Sequence, residues 1–148
     1  MKTTSNIDLA KFLSKHKLQF NDICYKNDLP PILKKGWYII NMEDHTKKSN
    51  GTHWVCFYKG DINAYFDSFG AVPPQIIDEK LKKYIYNGKE IQDIDSNSCG
   101  WFCLTAIYYF ENKPVDPIKF NNFLELWKDD PKKNETLIKE LFETVIGV

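Results

Sequence analysis

The chain of 148 residues contains no arginine, and its 20 basic residues are balanced by 20 acidic ones. With zero net charge and no basic stripe, the sequence gives no electrostatic sign of binding to nucleic acid or to an anionic membrane surface. No apolar run reaches the length of a membrane span, and the first residues are polar rather than those of a signal peptide. We therefore expect no nucleic-acid or membrane partner, and a protein that is not secreted.

Cysteine is scarce and irregularly spaced, at positions 24, 56, 99 and 103. This is the spacing neither of a disulfide framework nor of a CxxC zinc site. Cys99 and Cys103 lie one helical turn apart and could supply two metal ligands, but the sequence offers no obvious second pair. We expect no metal and no cofactor.

What the sequence does have is a hydrophobic content of 43% and an aromatic content of 15%, enough for one packed domain over residues 1–148. Hydrophobic periodicity and turn residues predict an α+β fold with a central mixed or antiparallel sheet. The predicted helices cover about 5–13, 75–86, 99–111, 118–128 and 134–146, the predicted strands cover 36–42, 53–59, 62–66 and 89–91, and loops are predicted at 20–35 and 43–52.

Cys99 is the candidate nucleophile. It opens an apolar, helix-like run directly after Ser96, Asn97 and Ser98, which are residue types that cap helices. Unsatisfied amides and the dipole at a helix N-terminus favour a thiolate. An arbitrary free cysteine is more often a small, inert core residue, so this interpretation depends on the companion residues.

His53 is the candidate base, since it lies at the start of a predicted strand, whereas His16 and His45 lie near a helix end and in a polar loop. Asp67, at the end of the paired strand, is the candidate that orients the imidazole, although an Asp after a strand is often only a turn residue. Gln92 can donate its side-chain amide to an oxyanion, with the backbone N–H of Cys99 as a second donor.

The hairpin between the two strands must satisfy a parity condition. With an ideal two-residue turn at Gly60-Asp61, alternation would place His53 and Asp67 on opposite faces of the sheet. The proposed chemistry needs Asp67 across from His53, and therefore predicts an odd-length loop, such as Lys59-Gly60-Asp61, or a bulge.

These residues, in the order His, acid, Gln, Cys, resemble the adenovirus-type maturation proteases (adenain family), and look most similar to the compact proteases of virophages and Polinton-type elements. The matching segments are Gly51-Thr52-His53-Trp54, Tyr65 to Gly70, Gln92 and Ser98 to Cys103. The resemblance implies a papain-like or Ulp-like cysteine protease fold, with Cys99, His53, Asp67 and Gln92 as catalytic residues. It also places Trp54, Gly51 and Gly100 at the substrate.

The same resemblance implies that a monomeric enzyme cleaves capsid precursors near small residues such as Gly during virion maturation, in the host cytoplasm (virus factory) and in the virion. Alternatives stay open. A Ulp-type protease of SUMO-like or ubiquitin-like conjugates shares the same residue types, as does a related acetyltransferase. In a non-enzymatic capsid-binding or scaffold-binding domain, these residues would only pack.

Overall fold

A five-stranded mixed sheet forms the centre of the computed structural model, which describes residues 1–43 and 53–146. The strands lie in chain order, β1-β2-β3-β4-β5. The two outer pairs are parallel and the two inner pairs are antiparallel. The strands are β1 (Asp22–Tyr25), β2 (Gly36–Asn41), β3 (Trp54–Lys59), β4 (Ala64–Phe66) and β5 (Ile85–Tyr86).

Five α-helices accompany the sheet in the described part of the chain: α1 (Asn6–Lys15), α2 (Gln75–Leu81), α3 (Cys99–Phe110), α4 (Pro117–Glu125) and α5 (Pro131–Glu140). A 3₁₀ turn (Lys26–Asp28) follows β1, and a π-helical turn (Leu141–Ile146) extends α5. The N-caps explain where α1, α4 and α5 begin, because the side chains of Ser5, Asp116 and Asp130 each accept a hydrogen bond from a first-turn amide.

The sheet is buried on both faces, which is why its strands read as nearly continuous apolar runs. On one face Ile39, Cys56 and Phe66 pack with α3 and with residues of α1 and α4. On the other face a smaller cluster, which includes Tyr38 and Phe57, packs with residues of α2. Helices therefore cover both sides of the central strands.

Helix α3 is the most deeply buried helix in the described chain, with ten of its twelve residues buried. Its sequence is apolar on all sides, which is the pattern of a helix surrounded by protein. It packs against β3, so its first residue, Cys99, lies beside the first residue of that strand.

The hairpin of β3 and β4 has an odd-length connection, but one of five residues rather than the three of Lys59-Gly60-Asp61, so Asp67 does not lie directly across from His53. The register pairs Cys56 with Phe66 and Tyr58 with Ala64, which leaves residues 59–63 between the last pair. Continuing this register places Asp67 opposite Val55, two residues along the strand from His53. Both catalytic candidates therefore face the same side of the sheet.

The prediction was wrong in several local elements. Residues 20–35 contain β1, a short strand that exists because it pairs with β2. The predicted helix over 75–86 ends at Leu81, and the fifth strand is Ile85–Tyr86 rather than 89–91. The loop predicted over 43–52 lies almost wholly outside the described residues. Within the described chain no helix is both long and apolar enough to cross a membrane.

Candidate active site

His53 and Asp67 form a direct hydrogen bond, with 2.8 Å between His53 Nε2 and Asp67 Oδ1. A carboxylate oxygen only accepts, so Nε2 carries the proton and Nδ1 is the nitrogen left to exchange a proton with another group. Nδ1 is buried and makes no hydrogen bond of standard geometry. The Asp67 carboxylate thus fixes both the tautomer and the orientation of the ring.

Cys99 lies next to this pair. Its Sγ accepts a hydrogen bond from the backbone N–H of Trp54 at 3.3 Å, and the thiol also interacts with the His53 imidazole. The strand that begins after His53 therefore touches the sulfur directly. Cysteine, histidine and aspartate are together, as the sequence predicts, and in free enzymes the thiol–imidazole contact often tightens only when substrate binds.

The charged form of the His53 imidazole is favoured. Burial by itself lowers the pKa of this group, but hydrogen bonds and charge interactions with Asp67 and Cys99 outweigh that effect and raise the pKa to about 9. A cationic imidazole next to a sulfur is the environment in which cysteine acts as a nucleophile.

Asp67 is itself held in place by its surroundings. Its carboxylate also accepts the N–H of Phe69 at 2.9 Å, and the ring of Phe69 stacks on the imidazole of His53 at 4.6 Å between centroids. The buried side chain of Asn87 accepts from the backbone N–H of Asp67 and donates to its carbonyl. These contacts limit the freedom of the acid and of the base it orients.

Gln92 is completely buried, and both ends of its amide are engaged. Ser68 Oγ donates to Gln92 Oε1 at 2.5 Å, while Gln92 Nε2 donates to the hydroxyl and the carbonyl of Ser96 at 2.9 and 3.2 Å. A carbonyl cannot donate, so the N–H₂ end must face Ser96. To stabilise an oxyanion, Nε2 must share or exchange one of these bonds, and this role of Gln92 stays a prediction.

The N-cap side chain of α3 makes no capping hydrogen bond to the first turn of the helix. Ser98 occupies this N-cap position, and its hydroxyl donates to Glu135 Oε2 at 2.6 Å. The first intrahelical bond runs from Phe102 N to Ser98 O, so the amides of the first turn, including that of Cys99, have no acceptor within the helix. Such amides are suited to hold a developing negative charge.

Gly100 is small for a reason that the sequence did not indicate. A Cβ at this position would lie 1.8 Å from Thr4 Oγ1, so the space beside the glycine is filled by the N-terminal segment. That segment is held by Trp54 Nε1, which donates to Thr4 O, and by Trp101 Nε1, which donates to Lys2 O. Contact of Gly100 and Trp54 with a substrate stays a prediction, and Gly51 lies outside the described residues.

The remaining cysteines and histidines differ from the site residues. Burial and a hydrogen bond to Cys56 raise the pKa of the Cys103 thiol, and burial with nearby Asp22 and Asp28 raises that of Cys24 to about 12. His16 packs against the ring of Phe12, and His45 lies outside the described residues. Over residues 1–43 and 53–146 no group of three or more His, Cys, Asp or Glu side chains is placed to hold a metal ion.

Sequence reasoning missed the supporting residues Ser68, Phe69, Asn87 and Glu135. Ser68 and Phe69 directly follow the candidate acid Asp67, and that adjacency was the one local signal, whereas Asn87 lies 20 residues further along the chain. Glu135 lies far along the chain on a polar helix, where no local pattern distinguishes it from a surface residue.

Among solved structures, the fold is similar to that of the ASFV pS273R protease. One crystal structure of that protease aligns with a TM-score of 0.52 at 17% identity, covering 90% of this chain and 64% of the protease. A selenomethionine crystal structure aligns with a TM-score of 0.47 at 18% identity, covering 70% and 43%. The chain thus spans less than two thirds of either. Neither protein-family models nor curated protein sequences give a match.

The mixed sheet, the buried helix that begins at Cys99 and the likeness to the ASFV protease together define the class of fold. This chain has the α+β fold of papain-like and Ulp-like cysteine proteases. At 17% identity the likeness establishes the fold alone.

The contact between Gly100 and Thr4 gives a stability prediction. Gly100→Ala should lower the free energy of unfolding by about 1–3 kcal/mol, because the new methyl group collides with Thr4, although alanine is the better helix former. In a Thr4→Ala background the same substitution should cost clearly less. Urea denaturation of the unsubstituted protein, the two single variants and the double variant measures the coupling energy between the two positions. An equal cost of Gly100→Ala with and without Thr4→Ala would contradict the contact.

The environment of His53 gives a titration prediction. NMR of histidine-labelled protein should find the imidazole of His53 titrating near pH 9, since its hydrogen bond to Asp67 is the interaction that raises its pKa most. Asp67→Asn removes the carboxylate charge that opposes the effect of burial, so the pKa of His53 should fall well below 9. The control variant Asp78→Asn, at an exposed position of α2, should leave the pKa of His53 unchanged. Titration of His53 at its ordinary pKa of 6.5 in the unsubstituted protein would refute this account.

Proposed function

We propose that this protein is a cysteine endopeptidase in which Cys99 is the nucleophile and His53 the base oriented by Asp67. The observation that carries the proposal is the 2.8 Å hydrogen bond that fixes the imidazole beside the Cys99 thiol. An inert core cysteine needs no partly buried, carboxylate-oriented imidazole next to it. The likeness in fold to a protease structure agrees with this reaction class.

The reaction follows from the positions of the groups. The Cys99 thiol first gives its proton to His53 Nδ1, which leaves a thiolate beside the imidazolium; the thiolate then attacks the scissile carbonyl carbon, and the oxyanion forms near the open N-terminus of α3. The imidazolium then protonates the leaving amine, and the C–N bond breaks to leave a thioester. His53 next takes a proton from water, which attacks the thioester and regenerates the thiol.

A cleft of about 470 Å³ beside Trp54 is a suitable place for a substrate chain. It is lined in part by Thr4, Ile23 and Asn41, which combine apolar surface with polar groups that can bind an extended backbone. Trp54 lines this cleft and also contacts the Cys99 sulfur through its backbone N–H, although neither Cys99 nor His53 is among the described lining residues.

The substrate class rests on the resemblance of the sequence motifs to adenain-family proteases. The proposed substrates are capsid precursors, cleaved near small residues such as Gly during virion maturation, in the host cytoplasm at the virus factory and in the virion. The proposed enzyme acts as a monomer. A Ulp-type protease of ubiquitin-like conjugates would use the same groups, so substrate choice must be measured.

The triad gives a prediction for cleavage of a capsid precursor from the same genome, followed by gel and mass spectrometry. Cys99→Ala should lower kcat/KM by at least about 1000-fold and His53→Ala by nearly as much, whereas Asp67→Ala should cost less because Asp67 acts on the base. Cys103→Ala, one helical turn away, should retain activity and serves as the control.

The outcomes separate the candidate functions. Cleavage of the precursor next to small residues, lost in Cys99→Ala, supports the endopeptidase. Release of a reporter from the C-terminus of SUMO or ubiquitin, with no cleavage of the precursor, would indicate the deconjugating enzyme instead. Equal activity in Cys99→Ala and the unsubstituted protein would refute the proposed nucleophile.

A further inference from the structure

One carboxylate on α5 organises the loop that joins Gln92 to Cys99. Glu135 accepts the backbone N–H of Asp93 at 3.2 Å, the hydroxyl of Ser98 at 2.6 Å and the hydroxyl of Ser96. These three donors are spread over the loop between the oxyanion donor and the nucleophile. A charged acceptor makes stronger hydrogen bonds than a neutral one, so Glu135 is well suited to fix this loop.

The position of Glu135 is itself fixed. Its neighbour Asn134 is fully buried and donates to Ile91 O at 3.0 Å, directly before Gln92. Asn134 also accepts from Lys128 N and donates to Lys128 O, which joins the start of α5 to the preceding turn. Helix α5 is thus attached to both ends of the Gln92 segment, through Ile91 and through the loop.

Ser96 transmits the effect of Glu135 to Gln92. A hydroxyl has one proton, and because Ser96 gives it to Glu135, the oxygen lone pairs are left to accept from Gln92 Nε2. Ser68 holds the other end of the amide at Oε1. The Ser96 carbonyl sets which end of the amide faces Ser96, and Glu135 keeps the Ser96 hydroxyl in place as a second acceptor for Nε2.

We propose that Glu135 is a positioning residue for the oxyanion donor: it orders Ser96, whose hydroxyl and carbonyl hold the N–H₂ end of the Gln92 amide. The proposal rests on the proposed peptidase function, and assigns to Glu135 an effect on turnover through Gln92 rather than on formation of the nucleophile.

The test is a double-mutant cycle on kcat and KM for precursor cleavage, with the rate of iodoacetamide alkylation of Cys99 as a second readout. Gln92→Ala should lower kcat on the order of 100-fold. Glu135→Ala should lower kcat on the order of 10-fold, with KM and the alkylation rate within about 2-fold of the unsubstituted protein. In the Gln92→Ala background, Glu135→Ala should change kcat by less than about 2-fold, because the group it acts through is gone.

Two further variants provide a second probe of the same hydrogen bonds and a control. Ser96→Ala should lower kcat in the same direction and should also be non-additive with Gln92→Ala. Glu140→Ala, on an exposed position of the same helix, should match the unsubstituted protein. Circular dichroism checks that each variant is folded at the assay temperature.

Equal losses from Glu135→Ala with and without Gln92 would overturn the proposal, as would an unchanged or increased kcat. A parallel fall in alkylation would also overturn it, because the whole site would then have been disturbed. If the unsubstituted protein cleaves neither precursor nor reporter, the proposed function fails first, and the role of Glu135 fails with it.

Discussion

The register of the hairpin between β3 and β4 is the constraint on which the site depends. A shift of one residue would move Asp67 to the opposite face of the sheet, and the 2.8 Å hydrogen bond to His53 could not form. The large apolar residues on both faces fix this register, since a shift would also exchange the two hydrophobic clusters. Stability of the fold and alignment of the catalytic candidates are therefore set by the same pairing.

Polar contacts between loops then assemble the rest of the site on this sheet. The carbonyl of Ser68 accepts the backbone N–H groups of Ile91 and Gln92, both at 2.8 Å, so the segment after Asp67 carries the oxyanion candidate. Glu135 joins that segment to the start of α3. Because most of these groups are buried, each bond is costly to lose, and the site is held in one arrangement before any substrate arrives.

The sequence was a good guide where a local pattern determines the structure. The helix predicted at about 5–13, the buried run that begins at Cys99 and the parity of the hairpin all rest on short-range chemistry, and the structure has each of them. Strand β1 and the contact of Thr4 with Gly100 depend on segments far apart in the chain, which no local pattern records. For the same reason, no local pattern identified Glu135 as a residue that supports the site.

The proposed function requires Cys99 to be an activated nucleophile rather than a packed core thiol. A peptide vinyl sulfone ending in Gly, followed by mass spectrometry of the labelled protein, tests it most directly. The account predicts one adduct, on Cys99, formed in the folded protein and lost in His53→Ala, with Cys24, Cys56 and Cys103 unmodified. Labelling of Cys24 or Cys56 in preference to Cys99, or equal labelling of Cys99 without His53, would contradict it.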